Sequence, residues 1–284
     1  AFAFSRPANK AIITELVEKD ELVLYNSRLE LVLQVVSVSS PVLSFLVLQF
    51  ASLRITLVLD ALSFFLAFGL VALLPKKEEK TFGEKKLTFK VIFFDIKEGV
   101  HYIVKQKEIF FLLVMASSVN FFFAAFNYLL PFSNQLYGVQ GAYATILTMG
   151  AIGSIVGALL ASKIKASMEM LLFLLALTGL GVMIMGFTLP PYLTFSGNFV
   201  CELFMTIFNI HFFTQVQTKV EGEYLGRVLS SIYTLAILFM PIATGLMTLL
   251  PSVHLYSFLI IGLGVVFLSF LALGYVRAHF KKEI

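Results

Sequence analysis

Charge is what this sequence has least of. Asp, Glu, Lys and Arg make up 13% of its 284 residues, about half the share found in a soluble globular domain. That shortage excludes a disordered chain, a coiled coil and an ordinary water-soluble enzyme. Cysteine is almost missing: Cys201 stands alone. One thiol excludes a disulfide framework and a multi-thiolate metal site. The four His residues are scattered without metal-ligand spacing, which argues against zinc. No metal or cofactor is therefore expected. There is no glycine-rich phosphate loop, so direct ATP drive has no support. Nor does any nucleophile–base constellation stand out, so the chain does not read as an enzyme.

What is present is apolar surface. Hydrophobic residues reach 59% and mean hydropathy is +0.92. The net charge of +4 and pI near 9.0 would suit a nucleic-acid binder in a polar chain. In one so apolar, a basic excess points instead to Lys and Arg held on one side of a bilayer. The expected partner is lipid, with no nucleic acid.

A bilayer-crossing helix needs roughly 20 mostly apolar residues. Eight such runs occur: Leu29–Phe50, Ile55–Leu74, Ile109–Phe132, Ala142–Ser162, Met170–Phe187, Leu193–Thr214, Val228–Leu250 and His254–Tyr275. Backbone groups cannot stay unpaired in lipid, so these runs are helices. The alternation of an outer-membrane barrel is absent. Eight spans put both termini on one side. Every one of the 21 Lys and Arg residues except Arg54 then falls on that same side, nine Lys of them in residues 75–108. By the positive-inside rule this side is the cytoplasm.

The expected organisation is a cytoplasmic stub at 1–28, two spans at 29–75, a charged linker at 76–108 and six spans at 109–284. Ala1-Phe2-Ala3-Phe4 reads as the end of a span already in progress. Within the linker, Phe89, Ile92, Phe93, Ile96, Val100 and Ile103 recur at helical spacing. They predict an amphipathic helix, either along the membrane face or packed beneath the bundle. A weak repeat links Val17-Glu18-Lys19-Asp20-Glu21-Leu22 with Val220-Glu221-Gly222-Glu223-Tyr224-Leu225, and each copy precedes a span with an internal proline, Pro41 or Pro241. If real, the repeat unit is six spans long, the plan of one large transporter class, and about four spans precede this chain.

Ionisable residues inside a membrane are costly and mark function by default. Two acids fall well inside spans, Glu202 and Asp60. Around Glu202, the residues Thr194, Asn198, Thr206 and Asn209 recur at helical spacing, so all five share one face. Such a stripe cannot face acyl chains. It lines a substrate cavity or hydrogen-bonds neighbouring helices. The third span carries a shorter version with Ser117, Asn120 and Asn127. Glu202 is a candidate proton carrier, with a permanently protonated structural acid as the alternative. Asp60 reads more simply as a partner for the backbone or for Arg54. His211 reads as a hydrogen-bonded packing residue. Gly150, Gly153 and Gly157 form a small-residue face on the fourth span, suited to close packing and, more sharply, to gating. Pro41 and Pro241 are expected kinks. The six Phe residues at 110, 111, 121, 122, 123 and 126 lie all around the third span, so they define no binding face.

Several stretches resemble the bacterial major facilitator superfamily, in particular its macrolide-efflux and siderophore-exporter branch. Phe4-Ser5-Arg6-Pro7-Ala8, Leu16 to Leu22 and Asn26 resemble the loop after the fourth helix of that branch. Leu59-Asp60-Ala61-Leu62-Ser63-Phe64 resembles its sixth helix. Gly150, Gly153 and Gly157 resemble its eighth, and Gln217 to Glu223 with Gly226-Arg227-Val228 its loop before the eleventh. The resemblance implies an all-α membrane protein, a helical bundle whose eight transmembrane helices match helices five to twelve, with helices one to four largely missing. It implies a secondary transporter in the bacterial cytoplasmic membrane, exporting amphipathic drugs or natural products such as macrolides by proton antiport and alternating access. It also makes Asp60 a second proton-coupling candidate, and it places the third and sixth spans as the cavity-lining pair. An inactive truncated remnant and an uptake symporter share these sequence features.

Overall fold

The computed structural model of the chain describes residues 10–14, 17–50, 52–73, 89–165, 167–187, 189–250 and 252–279. The apolar opening at 1–4, the first part of the charged linker (76–88) and the basic tail at 281–282 lie outside the described residues. The described residues are helical, without strands. They form α1 (Leu22–Phe50), α2 (Leu53–Ala72), α3 (Phe89–Lys105), α4 (Lys107–Leu129), α5 (Ser133–Tyr137), α6 (Ala142–Ala161), α7 (Met168–Met185), α8 (Pro191–Lys219), α9 (Gly222–Thr248) and α10 (Tyr256–His279). A single 3-10 turn, Leu130–Phe132, joins α4 to α5.

Six segments among the described residues are long and apolar enough to cross a membrane: Lys107–Tyr137, Ala142–Ala161, Met168–Met185, Pro191–Lys219, Tyr224–Thr248 and Tyr256–Ala278. The first two expected spans fall on α1 and α2, helices of 29 and 20 residues. The chain is a multi-pass helical membrane protein. Both copies of the weak repeat stand at a helix start, with Leu22 opening α1 and Leu225 in the first turn of α9, and both leucines are buried.

The chain divides into two compact units, one of residues up to Gln34 together with Phe94 onward, the other Val35–Phe93. In the smaller unit α2 leaves Phe64, Phe65, Leu66 and Phe68 each about 70% exposed or more, an apolar surface fit for lipid or other helices.

In the larger unit the helices pack in series: α6 on α8, α8 on α7, α7 on α10, α10 on α4, and α4 on α9. Lipid offers no hydrophobic drive between helices, so association depends on close packing and interhelical hydrogen bonds. Glycine supplies the closeness. A Cβ at Gly179 of α7 would stand 2.9 Å from the carbonyl oxygen of Gly262 on α10. One at Gly197 of α8 would stand 2.5 Å from the carbonyl oxygen of Gly181 on α7. Between α5 and α6 the chain reverses at Gly138 and Gly141, both left-handed with φ of 65° and 81°, a conformation that costs glycine little. Ser167 caps α7 by accepting the Met170 N–H at 3.2 Å, and Pro191 opens α8 where no N–H partner is needed.

The amphipathic segment is α3, and it packs on α9. A Cβ at Gly99 would meet the Arg227 carbonyl oxygen at 2.6 Å. Tyr102 stacks on Tyr224 at 4.9 Å, and Arg227 Nη1 donates to Glu98 at 2.7 Å. Phe94 and Val104, on the other side of α3, stay exposed. Lys219 pairs with Glu108, and Arg277 with Glu169 at 3.1 Å. The last two of these pairs join helix ends: Lys219 closes α8, Glu108 and Glu169 lie in the first turns of α4 and α7, and Arg277 lies near the end of α10.

Candidate functional site

The site is built on α8 and α6. From the sequence, five polar residues of α8 share one face. The structure shows that most of this face is a helix–helix contact. Asn198 is 2% exposed, and its Nδ2 donates across the gap to the Ile146 carbonyl oxygen on α6 at 2.8 Å. Its Oδ1 accepts no hydrogen bond among the described residues. Glu202, one turn further, is half-buried and accepts from Ser154 Oγ of α6 at 3.3 Å. Thr206 is buried another turn on, its Cβ facing Gly157. Thr194 is buried too, and donates to the Leu189 carbonyl oxygen at 3.1 Å. Asn209 is exposed.

The partner face of α6 is the glycine ladder. A Cβ on Gly150 would collide with the Asn198 amide and come 3.1 Å from Glu202 Cγ. On Gly153 it would strike the Phe199 carbonyl, and on Gly157 it would lie 2.5 Å from the Leu203 carbonyl oxygen. Ladder and stripe are therefore two sides of one seam. At its charged end His211, buried, meets the Ala161 carbonyl oxygen at 3.0 Å.

On α4, Ser117 is buried, Asn120 half-buried and Asn127 exposed. Neither Asn residue joins the Glu202 contacts. Asp60 lies on α2 with its side chain exposed; its carbonyl oxygen accepts from Ser63 at 2.7 Å. Among the described residues no ion pair joins Asp60 to Arg54, six residues away on the same helix. Pro41 lies within α1. Pro241 is an exposed position inside α9, which continues unbroken to Thr248.

A cavity of about 210 Å³ opens among Tyr137, Phe187, Leu189, Thr194 and Phe195. Its lining mixes apolar and polar surface, and Tyr137 on its wall donates to the Met185 carbonyl oxygen at 2.7 Å. Thr194 and Glu202 are eight residues apart, about 12 Å along the helix, so this cavity and the carboxylate are separate places.

Sequence reasoning passed over Glu30 on α1, a half-buried acid whose Oε1 accepts from Gln34 at 2.9 Å. It stands at the margin of the first expected span, where hydropathy alone gives no warning. It also gave no site role to Thr214 and Gln217, which stand near the C-terminal end of α8 and are both buried.

A series of packed membrane helices with a polar seam fits many transporters. A family model described as Major Facilitator Superfamily matches residues 1–237. The chain belongs to the Major Facilitator Superfamily. No curated protein and no solved structure matches it. As a superfamily member the chain is of a membrane-transporter family.

Proposed function

We propose that this superfamily member exports amphipathic drugs or natural products, macrolides among them, in exchange for protons by alternating access. In this reading residues 29–75 belong to one helical bundle and 109–284 to the other. Both termini and the 76–108 linker face the cytoplasm of a bacterial cell. The observation that carries the reading is Glu202, a carboxyl group set in the middle of an apolar helix. An acid in that position is expensive unless it works. Only Ser154 donates to it among the described residues, so one oxygen is left for a proton. Protonated from outside and deprotonated to the inside, it would couple each outward passage of substrate to one inward proton. Asp60 is a second carrier candidate on α2. Asn120, Asn127 and Asn209 are the candidates for polar contact with substrate. Thr194, Asn198 and Thr206 hold the α8 helix that bears the acid, with Gly150, Gly153 and Gly157 allowing its approach and Pro41 and Pro241 as bending points. The export direction and the macrolide class are supported by the branch-like sequence at 16–22, 59–64 and 217–228.

The test is efflux of labelled erythromycin and of ethidium from cells expressing the full-length gene. Glu202→Gln keeps an acceptor for Ser154 but cannot release a proton. It should stop gradient-driven efflux while leaving substrate binding. Undiminished dependence on the pH gradient in that variant removes Glu202 from coupling. Accumulation in place of depletion makes the protein an uptake symporter.

A further inference from the structure

Helix α3 has two sides of different character. The side on α9 carries Gly99 and Ile103, both buried, and Tyr102, stacked on Tyr224. At about 3.6 residues per turn, Phe93, Phe94, Lys97, His101, Val104 and Lys105 fall together within a third of the helix circumference. All six are exposed, Phe94 at 53% and Val104 at 51%. Large apolar groups and bases are interleaved along this strip.

A helix facing water gains from matching its lysines with acids three or four positions away. Around Lys97 those positions hold Phe93, Phe94, Val100 and His101. The positions before Lys105 hold His101 and Tyr102. The nearby glutamates are already engaged. Glu98 accepts from Arg227 Nη1 on α9 at 2.7 Å, and Glu108 pairs with Lys219 on α8. Lys97, Lys105 and the adjoining Lys107 of α4 make no ion pair among the described residues. Cations of the bundle thus take up the glutamates of this segment and leave its outer face basic.

We propose that this face of α3 is a docking surface for anionic phospholipids of the leaflet that α4 enters. Connectivity puts it within reach. Only Gln106 separates α3 from α4, and the membrane-spanning segment begins at Lys107, so α3 ends where the chain enters the bilayer. Two phenyl rings and a valine held in water are costly, whereas the boundary between headgroups and acyl chains accommodates them. Lys97, Lys105 and Lys107 then meet the lipid phosphates, with flexible stems that reach past the rings. A wholly apolar face would take any lipid, and a wholly basic one any soluble polyanion. Their interleaving selects an anion fixed in a bilayer. The surface lies away from Glu202, and the proposal does not depend on what the protein carries or in which direction.

The experiment uses the full-length protein in nanodiscs, with Cys201→Ser and with Val104→Cys carrying a bimane fluorophore. Contact is read as quenching by phosphatidylglycerol or phosphatidylcholine brominated high on the acyl chain, at equal mole fraction. Phosphatidylglycerol should quench about twofold more, and high salt should narrow the difference. Lys97→Gln together with Lys105→Gln should abolish the preference. Lys163→Gln with Lys165→Gln, exposed lysines after α6, should leave it intact. All four substitutions alter exposed side chains only, and thermal unfolding checks that the fold is kept. Equal quenching by the two lipids shows no headgroup selection and overturns the proposal. Quenching by neither puts the face away from the bilayer and overturns it as well. Equal loss in the two double variants reduces the effect to overall charge, with the same consequence. A preference that soluble glycerol 3-phosphate removes marks a site for free anions and refutes the lipid assignment.

Discussion

At the scale of single residues, the seam between α6 and α8 makes sharp distinctions among glycines. A methyl group on Gly153 meets the backbone of Phe199, which cannot turn aside. Gly153→Ala should therefore lower stability by about 1–3 kcal/mol, the usual cost of overpacking. On Gly150 the nearest atoms belong to the Asn198 side chain, so Gly150→Ala should displace that amide and cost less. Gly245 of α9 has open space, and Gly245→Ala should be neutral or slightly stabilising through helix propensity. Thermal unfolding of the detergent-solubilised variants gives the ranking, and a Gly153 variant as stable as the Gly245 one contradicts it. The sequence made both halves of this seam legible, but as separate features. Periodicity shows that Asn198, Glu202 and Thr206 share a face and that Gly150, Gly153 and Gly157 share another. It does not show that one face lies on the other, because pairing depends on which helices become neighbours.

Helices as wholes were legible by their apolar runs, and their ends were not. The sixth run reads as Leu193–Thr214, whereas α8 spans Pro191–Lys219. The seventh reads from Val228, whereas α9 starts at Gly222. Both extensions are polar turns at the charged end, where helix geometry continues after lipid-like composition stops. Those turns hold Gln217, Tyr224 and Arg227, so the α3 contact lies in what hydropathy leaves out. For α3 the apolar spacing was sufficient to predict the helix, but the contact partner came from Gly99. Two variants separate its supports. Arg227→Gln removes a partly exposed ion pair to Glu98, and exposed pairs are worth about 0–1 kcal/mol, so stability should barely change. Gly99→Leu drives a side chain into the Arg227 carbonyl and should detach α3 from α9, making Phe94 to Lys105 sensitive to limited proteolysis. Equal protease resistance in the two variants refutes this division.

For the molecule as a whole, the strongest sequence signal is the placement of cations. Reporter fusions after residues 80 and 284 should both register on the cytoplasmic side, and one after residue 139 outside. A fusion at 80 that reads as external overturns the orientation. The helical, multi-pass character followed from composition, because lipid admits few alternatives. The identity of the substrate did not follow, since no run of residues spells it. The series of contacts that links α6 to α8 also limits how this protein can move. Where backbones touch with no side chain between them, nothing can act as a bearing or a wedge. Two rods joined that way must travel as one plank, so any passage through the protein has to part at some other boundary. Spin labels on the outer sides of Leu159 and Phe204 should keep a fixed separation while labels elsewhere in the chain change theirs.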